Sequence, residues 1–289
     1  MIEISLKSCD LVYLSCALYE VSNPKAVVQI IPGIKEHKSR YIGLINSLNN
    51  AGFTVFISDI RGHGRSVNGN YPLGYLDDAN KLILDQNIIC DYLRSRFAGL
   101  DIYMIGDALG AIIALGFIQK YDAKIQKLLL CSPIKYDKKQ DVLVKSASLL
   151  MKFQNKNKKS AMLENALGSF NVDDLVKDNN ERVRIKNDAL CNFDYSLVAM
   201  YNLLLLNKSV RYINRYEGTN KNLPIQILFG AIDEVAGGRD AIKFLISVLN
   251  QSGYYRIGNL EFANMSNKIL FETGRNLVYS EVIKFLQNN

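Results

Sequence analysis

The sequence predicts an α/β fold: a mostly parallel central sheet of about eight strands, helices on both faces, and one helical cap insertion. Three observations carry this. Short apolar runs alternate with longer segments of helical periodicity, the pattern of a parallel sheet buried under helices. The run Tyr103-Met104-Ile105 enters Gly106-Asp107-Ala108-Leu109-Gly110 and passes at once into the apolar, helix-like Ala111-Ile112-Ile113-Ala114-Leu115. From 134 to 222 helical periodicity and polar loops dominate, with no strong strand, before strands and helices resume. The expected division is a core of residues 1–133 and 223–289 with a helical cap of residues 134–222. Such an insertion would lie over the carboxyl edge of the sheet, where α/β enzymes place their sites.

Taken in order, residues 2–7 and 11–18 alternate or run apolar and suggest two antiparallel strands. Residues 26–31 form a buried-strand pattern ended by Pro32-Gly33, followed by a helix-like stretch over 38–50. The strand pattern 53–58 runs into a turn-rich loop, and 76–97 carries apolar residues at helical spacing (Leu82, Ile83, Ile89, Cys90, Leu93). After the glycine-bracketed turn comes the strand 125–131, ended by Ser132-Pro133. In the insertion, 197–204 is the clearest helix. The core resumes with strand 224–230, helix 240–250, strand 254–262 and a closing helix over 276–286.

At 289 residues, 48% hydrophobic and 22% charged, the composition is that of a globular chain with a sizeable core. The formal charge of +7 is scattered, apart from the lysine-rich 152–159, which reads as a solvated surface segment. No nucleic-acid motif, dinucleotide fingerprint or phosphate loop is present, so no nucleic-acid partner and no cofactor are expected. No apolar run approaches the roughly 18 residues that cross a bilayer. Five dispersed cysteines without C-x-x-C spacing fit a reducing compartment, and a cytoplasmic location is expected. Two histidines without a clustered carboxylate pair offer no metal-ligand spacing.

The strand–Gly-x-x-x-Gly–helix layout is that of a nucleophile elbow, whose central residue is strained and crowded. That position should hold Ser, Cys or Asp and here holds Ala108. Further motifs share its order along the chain. Gly33-Ile34-Lys35-Glu36-His37-Lys38-Ser39-Arg40-Tyr41 matches H-G-x-x-E-H-x-x-R-Y with Pro32 in place of the leading His. Residues 59–66 match D-x-R-G-H-G-x-S, 230–235 resemble G-x-x-D-P-V with Glu234 for Pro, and 265–272 lie on R-H-E-I-L-N-E. Together these resemble the α/β-hydrolase fold, and within it the monoacylglycerol lipase/lysophospholipase group of serine-aminopeptidase-like hydrolases.

The resemblance implies a Ser-Asp-His triad. Its nucleophile position falls on Ala108, its acid on Asp233 and its base on Asn267. The implied oxyanion donors are the backbone N–H groups of Ile34 and Leu109, which need no particular side chain. Acyl transfer needs a hydroxyl to attack and an imidazole to take its proton, and Ala108 and Asn267 supply neither. His37 and His63 sit in loop motifs and are expected to hold their loops, as is Ser66. Asp107 is the only reactive side chain within the turn, at a position the family turns away from the cleft; if buried it needs a partner. Ser132 lies near the cleft without a base. Lys35 and Lys268 would bring amines to the cleft, with Lys268 expected to pair with Asp233.

The resulting expectation is a catalytically degenerate hydrolase that binds a small acyl or lipid-like ligand, or a protein partner or second copy of itself. The alternative is a serine ester hydrolase (monoacylglycerol lipase, lysophospholipase or carboxylesterase) seen with its nucleophilic serine replaced by Ala108. A purely structural subunit is a third reading.

Overall fold

A computed structural model describes residues 1–10, 12–153, 155–159 and 172–288. Eight strands form one sheet: β1 (Ile2–Lys7), β2 (Tyr13–Tyr19), β3 (Val27–Ile31), β4 (Thr54–Ser58), β5 (Ile102–Asp107), β6 (Lys127–Cys131), β7 (Ile225–Gly230) and β8 (Ile257–Phe262). Their order is β1-β2-β4-β3-β5-β6-β7-β8. β1 and β2 pair antiparallel, as the alternating N-terminal patterns predict, and β2 runs antiparallel to β4. From β4 to β8 every pairing is parallel.

Side chains in the central strands alternate between two cores, because successive residues point to opposite faces of a strand. Along β5, Ile102 and Met104 join one cluster while Tyr103 and Ile105 join the other. The first cluster is covered by α2 (Ala79–Arg96), α3 (Leu109–Tyr121) and α8 (Gly238–Gln251); the second by α1 (Ile42–Asn50) and α9 (Arg275–Gln287). The doubly covered sheet expected from the apolar runs is present.

Between β6 and β7 the described residues form α4 (Lys139–Phe153), the single turn α5 (Val172–Leu175), α6 (Asn179–Asn187) and α7 (Leu197–Ser209). α7 packs on α4, α2 and α3 and buries Met200, Leu203, Leu204 and Leu206 in the first core. Its start is capped by the Ser196 side chain, which accepts from the Ala199 N–H. Of the lysine-rich stretch 152–159, the described residues are exposed, as expected of a solvated segment.

The helix expected over 38–50 begins instead as a 3-10 turn, Lys38–Tyr41, before α1. Two bonds draw that turn toward the sheet. The Lys38 N–H donates to Asp59 Oδ1 at 2.6 Å, and the Tyr41 hydroxyl is buried against Asp107.

Two successive strands in sequence, β3 and β4, lie on one side of the β3–β5 boundary before the chain crosses to β5 on the other. Such a switch opens a crevice beyond the carboxyl ends of the strands. The segments that emerge there carry Ile34, Ala108, Ser132 and Asp233.

Candidate functional site

The turn after β5 has the strained geometry its glycines foretell. Ala108 sits at φ 44°, ψ −102°, a region that costs a non-glycine residue of order 1–3 kcal/mol. The turn is closed by the Ala108 N–H donating to Cys131 O at 2.8 Å. A Cβ on Gly106 would meet Gly110 O at 2.4 Å, and one on Gly110 would meet Ile31 O at 2.1 Å. Both contacts are with backbone, so only glycine fits at either place. Leu109 is the first residue of α3, and its N–H lies in the turn where no intrahelical acceptor exists. Neither it nor the Ile34 N–H donates to another described residue.

Asp233 and Asn267 are brought together. Asn267 Nδ2 donates to both Asp233 oxygens at 3.3 Å, while the N–H groups of Val235 and Ala236 donate to Oδ1 at 3.0 and 2.8 Å. Burial raises the Asp233 carboxyl above its usual range despite these donors. Ser132, itself at φ 44°, is fully buried beside Asp233 and has no imidazole within the arrangement.

The ion pair expected between Lys268 and Asp233 does not form. Lys268 Nζ bonds Glu36 Oε1 instead. Asp233 is already served by amide donors, whereas Glu36 is buried and needs cations to stay ionised. Arg40 supplies the second, reaching Glu36 with Nε and Glu181 with Nη2. Burial alone would raise the Glu36 carboxyl, but Lys268 and Arg40 outweigh it and hold it below its usual value. Lys268 therefore brings its amine to the loop carrying Ile34. Lys35, at φ 54°, places its Nζ 5.8 Å from the ring centres of Phe193 and Tyr195.

Both histidines are engaged elsewhere. His63 Nδ1 donates to Arg61 O at 3.1 Å and Nε2 accepts from the Tyr195 hydroxyl at 2.6 Å. Burial pushes its pKa down to about 4, which keeps the ring neutral. His37 Nε2 donates to Asp188 Oδ2 at 2.8 Å. Ser66 closes its loop by donating to Asp59 O and accepting from the Ser15 N–H, and Arg61 is wholly buried between Asp10 and Asp85. The motif 59–66 is scaffold.

Asp107 turns to the α1 side of the sheet. Its Oδ2 accepts from the Tyr41 hydroxyl at 2.7 Å, and that hydroxyl accepts from the Gly33 N–H at 2.7 Å. Oδ1 has no partner among the described residues. Burial, reinforced by the charges of Glu36 and Asp233, pushes this carboxyl up to about 7 against the opposing pull of Lys268 and Tyr41. A carboxyl whose folded pKa is raised binds its proton more tightly in the folded state. Stability is then greatest below the usual carboxylate range and falls as pH rises towards about 7. Asp107→Asn should remove that slope. In urea unfolding, the stability difference between variant and wild type is expected to move in favour of the variant by at least about 1 kcal/mol between pH 5 and pH 8.

A cavity of about 270 Å³ opens beside these groups, with Ile34, Lys35, Glu36, Leu175, Phe193 and Lys268 in its walls. Ala108, Asp233 and Asn267, each 3% exposed, are not part of its lining. Several residues that shape the site escape a motif-based reading. Glu36 and Arg40 themselves stand in the motif over 33–41, and their i, i+4 spacing suits an ion pair. Its partners Glu181 and Lys268 are far away in sequence, as are Asp188 and Cys191 around His37. Those three last residues bring an imidazole nitrogen, a carboxylate oxygen and a thiol sulfur within 4.8 Å of one another, a clustering that linear spacing does not disclose. The Cys191 thiol, pushed up to about 12 by burial and by Glu36, is unsuited to nucleophilic attack.

Comparison with known proteins places this geometry in context. The family described as serine aminopeptidase, S33, matches residues 22–254, a span that includes Ile34, Ala108 and Asp233 and ends before Asn267. A monoglyceride lipase of Mus musculus is 23% identical over 276 residues, 92% of this chain and 87% of that protein. A monoglyceride lipase homolog of Monkeypox virus is 33% identical over 106 residues, a match that spans 36% of this chain and 37% of that protein. Among solved structures, a thermostable carboxyl esterase from Bacillus coagulans superposes with a TM-score of 0.89 at 20% identity, covering 99% of this chain and 97% of that one. A soluble variant of monoglyceride lipase from Saccharomyces cerevisiae gives a TM-score of 0.76 at 16% identity, covering 95% and 91%.

Proposed function

The chain belongs to the serine aminopeptidase S33 family of α/β hydrolases, in its monoacylglycerol lipase-like group, and from that premise we propose that it is a non-hydrolytic member that acts by binding. One observation carries this reading. Where the family would carry the imidazole of its base, the Asn267 amide donates to both oxygens of Asp233, and the nucleophile position holds Ala108. An amide nitrogen offers only donors and takes up no proton at neutral pH, so it cannot serve as the general base. A methyl group at 108 cannot attack.

The ligand is a small acyl or lipid-like molecule held in the cavity lined by Ile34, Phe193 and Leu175. Its volume of about 270 Å³ lies near the lower end of ligand pockets and favours a short chain. The described residues of the insertion 134–222 act as the cap over it. A protein partner, or a second copy of the chain, would engage the same cap. The five free cysteines and the want of any helix long and apolar enough to cross a membrane among the described residues support a cytoplasmic protein.

The test is direct. A fluorophosphonate probe should label nothing, and hydrolysis of short p-nitrophenyl esters should stay at the no-protein background. Solvent extraction of the purified chain should yield a stoichiometric small acyl species. Probe labelling or ester turnover by the unaltered chain would overturn the reading.

The strained backbone at Ala108 favours a second reading, because an alanine there gains no chemistry from φ 44°. In that reading the chain is a serine ester hydrolase whose nucleophile has been replaced, and restoring the serine alone should restore turnover.

A further inference from the structure

We propose that His37, Asp188 and Cys191 form a site for a zinc-class divalent cation, which staples the loop after β3 to the segment between α6 and α7. The three side chains come from two distant parts of the chain, 151 positions separating His37 from Asp188. Their ligand atoms nevertheless all lie within 4.8 Å of one another. His37 and Cys191 are buried and Asp188 is partly so, which leaves the cluster one flank open to water.

Local structure aims each donor. The Leu190 N–H donates to Asp188 Oδ1 at 2.9 Å, leaving Oδ2 directed at the His37 ring. The Cys191 and Asn192 N–H groups both donate to Asp188 O, and this turn carries the Cys191 sulfur back over the carboxylate. A tetrahedral zinc ion with bonds of about 2.0–2.3 Å needs donor atoms roughly 3.2–3.8 Å apart. The pair at 2.8 Å must part slightly, and the longer separations must close by up to about 1 Å, movements within reach of side-chain rotation.

The donor set selects the ion. One imidazole nitrogen, one thiolate and one carboxylate oxygen suit zinc, or cobalt as its spectroscopic substitute, and do not suit calcium or magnesium, which take oxygen donors. A water from the cavity, whose wall includes Cys191 and Asn192, completes the fourth position. Binding releases the thiol proton to solvent as the sulfur–metal bond forms, and the His37 ring gives up its Nε2 proton and takes one at Nδ1, so that it ligates as the neutral tautomer. The carboxylates of Glu36 and Glu181 lie on the neighbouring Arg40 and offset its charge. The consequence is mechanical: His37 lies three positions beyond Ile34, so an occupied site pins that loop to the insertion. The proposal does not depend on whether the chain hydrolyses esters.

Anaerobic titration of the full-length chain with cobalt(II) tests it. One equivalent should produce a thiolate-to-cobalt charge-transfer band, and one equivalent of zinc should bleach it. Cys191→Ser should abolish the band and weaken zinc binding at least about tenfold, whereas Cys9→Ser, which removes the exposed thiol, should leave both intact. Should Cys191→Ser fail to fold by circular dichroism, His37→Gln and Asp188→Asn carry the test: each should lose the zinc-induced rise in melting temperature seen for wild type. No band, a band that survives Cys191→Ser, or a band lost in Cys9→Ser overturns the proposal.

Discussion

Changing Ala108 to Ser and Asn267 to His together should convert the chain into an esterase, with kcat/KM for a short p-nitrophenyl ester at least about 10²-fold above that of Ala108→Ser alone. The backbone is already prepared. Residue 108 holds φ 44° and ψ −102°, so a serine hydroxyl would project from a turn whose strain is already present. The Asn267 amide lies 3.3 Å from both oxygens of Asp233, which puts an imidazole at 267 within reach of the carboxylate that would orient it. The N–H groups of Ile34 and Leu109, which donate to no other described residue, would remain to receive an oxyanion. Equal rates for single and double variants would instead favour the replaced-nucleophile reading. If neither variant exceeded background, the two N–H groups do not converge on one point.

Glu36→Gln should cost about 3–5 kcal/mol in urea unfolding, the loss expected when one partner of a buried ion pair is removed and the other stays. The variant leaves the Lys268 amine, 5% exposed, without the carboxylate of Glu36 as its partner. Lys268→Met should cost less, because Glu36 retains Arg40. The pH dependence has a definite sign. A carboxyl held below its usual range contributes stability that is present at neutral pH and lost as pH falls through its folded-state pKa. Glu36→Gln should therefore lose most at neutral pH and approach wild type in acid. A loss of under about 1 kcal/mol at pH 7 would show that the cluster is hydrated and contributes little.

The fold was legible because its evidence is local. Apolar strands, periodic helices and the Gly106–Gly110 pair each depend on near neighbours, and a missing Cβ at Gly110 is demanded by Ile31 O regardless of any chemistry at 108. The pairing of Asp233 with position 267 was legible from motif order. What failed was the choice of partner for Lys268: spacing shows that a lysine follows Asn267, but not which way its four-carbon stem runs. That direction is decided by the burial of Glu36, a property of the packed chain. The cluster of His37 with Asp188 and Cys191 was invisible for the same reason, since its members meet only after the segment beyond α6 folds back on the loop after β3.

The Tyr41 hydroxyl, shared between the Gly33 N–H and Asp107, bears on the thermodynamics of any encounter at this site. It fastens the segment leading to Ile34 to the end of β5 before a ligand arrives, so little chain remains to be ordered on binding. The configurational entropy of that segment is lost during folding, and a guest at the Ile34 N–H need not supply it again. Under the binding reading proposed above, discrimination among guests would rest on the cavity's shape, and a chain too long for it would leave part of its length in water.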